Sequence, residues 1–260
     1  MRVSNCRLGR VLMVGLVFSV GAEFATAQSF TISQNGQNVG TAGLSLKPSG
    51  GGFGSTSWTK INMPGLNYSF SENETMAGGY LLKSAQLDGS VNGTKATVNT
   101  TSQGQQLVMK INANGQVINT PLAFHPQAVF FPDFDPAALQ TVLNLGALHN
   151  NRDLWAVIPK QSGSVTALRI VTKQDEQGAL NGQQTPIHHV TITADADTIE
   201  VFSDTSNQLM QAEWSEEGFA MVRQGFVLTP PAKPRTPPPS QQPQQPANPA
   251  GGQDPAPQPQ

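Results

Sequence analysis

Four Asn-Gly dipeptides, Asn35-Gly36, Asn92-Gly93, Asn114-Gly115 and Asn181-Gly182, punctuate a chain whose apolar residues otherwise tend to recur at every second position. Asn-Gly readily adopts the two positive φ angles of a type I′ turn, whose twist matches that of the strands it joins. Segments joined in this way lie antiparallel. Leu66, Tyr68 and Phe70 alternate with Asn67, Ser69 and Ser71, and Leu107, Met109 and Ile111 alternate with Val108, Lys110 and Asn112. A period of two gives each sheet segment one apolar and one wet face. Strands are predicted at 30–34, 56–63, 66–71, 80–87, 94–101, 107–112, 154–158, 165–173, 187–194, 199–203, 209–214 and 219–228. The fold class is therefore mainly β, about a dozen strands joined largely by hairpins, and an antiparallel sheet that wide curls or splits.

The stretch 121–151 departs from this pattern. It carries Phe124, Phe130, Phe131 and Phe134 among prolines, and then a predicted helix. Asp135 suits the N-cap, Pro136 the first helical position, and His149-Asn150-Asn151 the end. Leu139, Val142, Leu143 and Gly146 fall on one face. A lone helix among strands must lay its apolar stripe on a sheet, so it is read as the plug of a curved antiparallel half-barrel. About 14 residues of helix span roughly 20 Å, too little to fill the hollow of a dozen curved strands. Phe124, Phe130, Phe131, Phe134, Leu139, Val142, Leu143 and Trp155 are accordingly the candidates to line an apolar cavity; ordinary core packing is the alternative.

The two ends differ in kind from the middle. Arg2, Arg7 and Arg10 precede an apolar run from Val11 to Val20, and Ala25-Thr26-Ala27 offers small residues for cleavage. This reads as a signal peptide over 1–27, with the mature chain starting at Gln28 and directed to the periplasm or outside the cell. The run is too short to span a bilayer comfortably, so no transmembrane segment is expected in the mature chain. Cys6 lies in the leader, which leaves the mature chain without a disulfide, a thiolate nucleophile or a lipid-bearing cysteine. Removing the leader's three Arg and one Glu leaves 12 basic and 16 acidic residues, a net charge of −4 that offers no footprint for nucleic acid. Residues 229–260 hold 12 of the 20 prolines and almost nothing large and apolar, and are read as a disordered Pro/Gln-rich tail. The tail is either a spacer or an arm for an envelope partner. One domain is left between them, 28–228.

No catalytic residue, metal ligand set or cofactor motif stands out. His188 and His189 are neighbours on a predicted strand, so they face opposite ways and do not share an ion. His125 and His149 lie in the aromatic stretch and at the helix end, with no carboxylate at ligand spacing. Asp195 and Asp197 read as a hairpin turn, because the glycine and closing glutamate of a calcium loop are missing. There is no nucleophile elbow, P-loop or dinucleotide fingerprint. Gly50 to Gly54 precedes a strand rather than a helix, and so is a connection and not a phosphate cradle.

Several segments carry a family likeness. Asn35-Gly36 with Val39-Gly40, the aromatic and proline stretch with its helix, Gly178-Ala179-Leu180-Asn181-Gly182, Glu200-Val201-Phe202-Ser203-Asp204 and Asn207-Gln208-Leu209-Met210-Gln211-Ala212-Glu213 lie along residues 30–228. Together they resemble uncharacterised bacterial envelope proteins whose domain is similar to the lipoprotein carriers LolA and LolB. The resemblance implies an incomplete antiparallel barrel, closed by helical material over an apolar cavity that holds acyl chains. No family site residue transfers position by position. Two departures stand: the lipobox cysteine of an anchored receptor is absent, and the proline tail is not part of the carriers' pattern. The expected function is a non-enzymatic exported binding protein for a lipid or other apolar ligand. The alternative is a structural or interaction protein of the envelope, with the tail as its contact arm.

Overall fold

The computed structural model describes residues 26–160 and 162–229. Most of the expected leader and nearly all of the expected tail lie outside the described residues. Thr26 and Ala27, the last two of the expected leader, already belong to the first strand, where Thr26 stands opposite Leu46.

The first half is a continuous meander. Strands β1 (Thr26–Gln34), β2 (Gln37–Ser49), β3 (Gly52–Met63), β4 (Leu66–Ala77), β5 (Leu81–Val91), β6 (Thr94–Gln103), β7 (Gln106–Ala113) and β8 (Gln116–Ala123) each pair antiparallel with the next. Asn35, Asn92, Asn114 and Asn181 all take positive φ, between 48° and 52°, each followed by a glycine at 74° to 81°. All four Asn-Gly turns therefore form as the sequence predicts, and Asp195 (φ 55°) opens a two-residue turn in which only the first central residue takes positive φ.

A crossover follows. β9 (Ala128–Phe130), α1 (Pro136–His149) and β10 (Leu154–Ile158) make a βαβ unit, with β9 and β10 parallel. Parallel neighbours need a long connection, and that is where the helix goes. Asp135 caps α1 by accepting from the N–H groups of Ala137 (3.1 Å) and Ala138 (3.2 Å). Asn150 ends it in the left-handed region, at φ 52°. Both ends lie where the cap signals place them.

The second antiparallel run is β11 (Ser164–Thr172), β12 (Glu176–Leu180), β13 (Gln183–Ala194), β14 (Asp197–Asp204), β15 (Leu209–Trp214), β16 (Phe219–Arg223) and β17 (Phe226–Thr229). β1 joins the halves by pairing with β16, Phe30 opposite Arg223 and Gln34 opposite Phe219. β11 and β12 share one edge of the long β13, and β12 also pairs with β17. That local circuit encloses a small apolar cluster of Ile187, Phe202, Met210 and Phe226. The result is one large curved sheet of 17 strands, open between β8 and β9. Seventeen strands form where a dozen were expected: β2, β8, β9 and β12, whose alternation in sequence is weak, add four, and Gly225 (φ 80°) splits 219–228 in two.

The β9–β10 pair lies inside the concavity and divides its filling. Val129, Leu154, Ala156 and Ile158 turn to a first core that holds α1 and the inner residues of β1 to β4, β11 and β13 to β16. Ala128, Phe130 and Val157 turn to a second core of Leu82, Ala85, Leu87, Val98, Leu107, Met109 and Ile111. Sandwiched in this way, α1 is buried almost all round: from Pro136 to Gly146 only Asn144 is not buried. The stripe Leu139, Val142, Leu143 and Gly146 is buried as predicted, and so are the faces expected to stay wet.

Candidate functional site

The apolar phase of β4 continues into charge. Tyr68 and Phe70 lie on its inner face, and Glu72 and Glu74 follow on the same face before Met76. Both carboxylates are sealed, Glu72 at 2% exposure and Glu74 at 3%. β3 lines the adjoining strip with buried Ser55, Ser57 and Thr59. Over this polar stripe runs the irregular segment 130–135, which ends in Asp135, itself 5% exposed.

The stripe has a structural reason. Buried backbone groups outside regular pairing need partners. Thr59 Oγ1 donates to the Phe134 carbonyl (2.7 Å), and the Tyr68 hydroxyl donates to the Asp133 carbonyl (2.8 Å). Glu74 accepts from Ser55 Oγ (3.2 Å), and its carboxyl lies beside the Phe130 N–H, on the edge of β9 turned away from β10. Glu72 is less well served. Its carboxyl approaches Asp135 without reaching good hydrogen-bond geometry, and both of its oxygens are sealed without a partner, as is Glu74 Oε1.

Charge at this depth is unfavourable. Burial, with the Asp135 carboxylate beside it, pushes the Glu74 carboxyl up to about 8. Burial, and then Asp135, hold Glu72 well above the usual carboxylate range. Burial, followed by Asp133 and Asp135, raises the Tyr68 phenol in the same way. A void of about 10 Å³, room for one water, lies among Glu72, Asp135, Tyr68, Ser57 and Thr59. A second void of about 10 Å³ lies among Phe131, Phe134, Leu139 and Trp214.

The eight candidate cavity residues do not converge on one hollow. Phe131, Phe134, Leu139, Val142 and Leu143 pack in the first core. Phe130 lies in the second, with Phe124 and Trp155 packed against it. The β9–β10 pair stands between the two sets. Phe134, at φ 53°, sits among Tyr68, Trp214 and Phe219 at ring separations of 5.9, 5.0 and 4.9 Å. Trp155 stacks on His125 at 3.7 Å. The wider hollows lie at the surface and are open: about 470 Å³ beside Trp58, Lys60 and Asp88, and about 310 Å³ beside Asn181, Gln183 and Asp204.

Two contacts fasten the plug elsewhere. Gln140, fully buried, donates to the Asn207 carbonyl (2.6 Å) and accepts from the Leu209 N–H (2.9 Å). Lys160 bridges Asp133 (2.9 Å) and Asp197 (3.1 Å) at the rim. Burial opposes the Lys160 charge, but its two carboxylate partners outweigh that and hold its ammonium above the ordinary range. Both bridges are half exposed, so Lys160→Ala is expected to cost less than about 1 kcal/mol in chemical denaturation. A loss several times larger would show that the rim, and not the interior, holds the segment.

The histidines separate as expected, and the sheet then gives them partners that chain spacing hides. His188 meets Asp175 at 3.1 Å, and His189 lies between Glu176 (2.9 Å) and Glu200 (2.8 Å). Glu176 and Glu200 reach His189 from neighbouring strands. With both ring nitrogens on carboxylates, His189 acts as a clasp across three strands. Among the described residues no group of three His, Cys, Asp or Glu is arranged to hold a metal ion.

The buried acids were the residues missed. Their signal was present in the sequence: Glu72 and Glu74 fall in phase with Tyr68, Phe70 and Met76, where a one-faced strand has no place for a charge.

Fold and interior together define an open, curved antiparallel sheet clasped around a helical crossover, with a protonatable stripe beneath it. Comparison with protein-family models, with curated proteins and with solved structures finds no match to this chain.

Proposed function

We propose that this chain is a non-enzymatic, exported binding protein of the bacterial envelope, periplasmic or secreted, which takes a lipid or similar apolar molecule into its trough in place of α1. The observation that carries the reading is an open curved sheet whose concave side is stopped by one short helix on a crossover. The likeness to the lipoprotein carriers belongs to the same proposal. Among the described residues no helix is long and apolar enough to cross a membrane.

A drug-sized ligand needs a hollow of about 300–1,000 Å³, and the interior voids hold about 10 Å³ each. Binding therefore requires the plug to move. A twelve-carbon chain gains about 10 kcal/mol gross on burial, at roughly 0.8 per methylene. Uncovering Leu139, Val142, Leu143 and Leu145 costs about 1.5–3 kcal/mol for each side chain that stays wet. The ligand must re-cover that surface, and reversible micromolar carriage is the expected outcome.

Native mass spectrometry of freshly purified protein is expected to find co-purified lipid, and a fluorescent fatty acid is expected to bind. A clean apo spectrum with no uptake overturns the reading. The filled interior favours a second one, an envelope interaction protein with a fixed core and residues 229–260 as its arm. In that case deleting the arm abolishes partner capture, and lipid is never found.

A further inference from the structure

We propose that Glu72 and Glu74, facing Asp135 across the seam between sheet and plug, form a proton-operated latch that holds segment 130–135 and α1 in the trough. The latch rests on the carrier reading only for its consequence, ligand entry, and not for its existence.

The geometry places the parts on opposite sides of a seam. Glu72 and Glu74 belong to the wall, on β4. The Phe130 N–H and Asp135 belong to the plug. β3 presents only Ser55, Ser57 and Thr59 to the seam, which are uncharged, and β5 presents Leu87. From the plug side, Asp133 and Asp135 face it. The cation at the rim, Lys160, is engaged by Asp133 and Asp197. The basic residue of α1's last turn, His149, is at the far end of the helix. The two wall acids thus meet negative charge and uncharged hydroxyls. Glu72, with no partner for either oxygen at 2% exposure, borders the one-water void beside Asp135.

Protonated, the wall acids are neutral, and the seam carries only the plug's own carboxylates, Asp135, which α1's dipole favours, and Asp133, which Lys160 pairs. Ionised, they put like charge on both sides of a dry interface. If the plug lifts, water reaches the acids and they return towards the ordinary value of 4.5. The closed form therefore binds protons that the open form releases. Because the closed-state value is raised, the stabilisation is complete below about 4.5 and is lost as pH rises through about 8. Rising pH opens the trough and falling pH shuts it.

Hydrogen exchange on the full chain tests this, with rates converted to protection factors so that base catalysis divides out. From pH 6 to pH 9, protection in α1 is expected to fall about 100-fold from Glu74 alone, two pH units of linkage at tenfold each. Amides of β6 and β7, which carry no ion pair, are expected to hold. Glu74→Gln, and more fully Glu72→Gln with Glu74→Gln, should flatten the profile, because the amide mimics the protonated acid. An α1 profile independent of pH, or one falling equally in all strands, overturns the latch. If the variants fail to fold, the wild-type profile decides. Fatty-acid uptake at both pH values separates the two ideas. A latch that responds without uptake at either pH removes the carrier reading alone. Uptake without an α1 response removes the latch alone.

Discussion

Phe130→Ala is expected to lower stability by about 3–5 kcal/mol, the usual range when a fully buried aromatic is cut back to a methyl group. Phe130 has no exposed surface and lies in the second core, on the strand that divides the interior. The cavity cannot collapse easily, because the walls are paired strands on one side and the β9–β10 pair on the other. A domain of this size has about 5–15 kcal/mol in total, so at least about a fifth of it is at stake. At roughly 2–4 °C per kcal/mol, the thermal midpoint should drop by about 10 °C. Urea denaturation with an unchanged slope checks it. A loss under about 1 kcal/mol would mean that β9 is not packed into the second core as described. If the carrier reading holds, the same variant should weaken fatty-acid uptake, because Phe130 would flank the opened trough.

Gln140→Ala is the second large effect, about 3 kcal/mol. It strips partners from the buried Leu209 N–H and from the Asn207 carbonyl, and leaves a hole beside α1. An orphaned buried polar group costs about 1–3 kcal/mol by itself. Gln140→Leu separates the two causes, since it refills the volume without restoring either hydrogen bond. Leu is expected to recover only a minority of the loss. Full recovery would show that Gln140 is there for its size, and that the junction between α1 and the turn before β15 carries no polar specificity. The exchange rates of α1 provide a second readout: in Gln140→Ala the helix should open more readily at every pH, whereas the latch predicts an effect that grows with pH.

The polar stripe also explains why a buried acid is tolerated at all. Segment 130–135 has to leave β9, turn and enter α1 inside the trough, where its backbone groups cannot reach water. Tyr68 and Thr59 answer the carbonyls of Asp133 and Phe134, and Glu74, held by Ser55, lies beside the Phe130 N–H. Glu72 answers nothing of this kind. Its burial costs stability without a compensating bond, which is why it, more than Glu74, points to a seam that is meant to part.

By itself the sequence determined the hairpins, the single helix with both its caps, and the mainly β class. These rest on local physics: positive φ at Asn-Gly, an aspartate ahead of proline, and apolar side chains every second residue. It did not determine which strands would meet across the chain. β1 finds β16, β12 finds β17, and β9 and β10 lie parallel within the sheet's own hollow. Only tertiary structure decided that the aromatic stretch is split between two cores, that Glu176 and Glu200 meet His189, and that two in-phase glutamates lie sealed against the helix N-cap. The reason is range. Turn and cap energies are set by neighbours a few residues away. Register between distant strands is set by the one arrangement that buries every apolar face and still gives nearly every enclosed backbone group a partner.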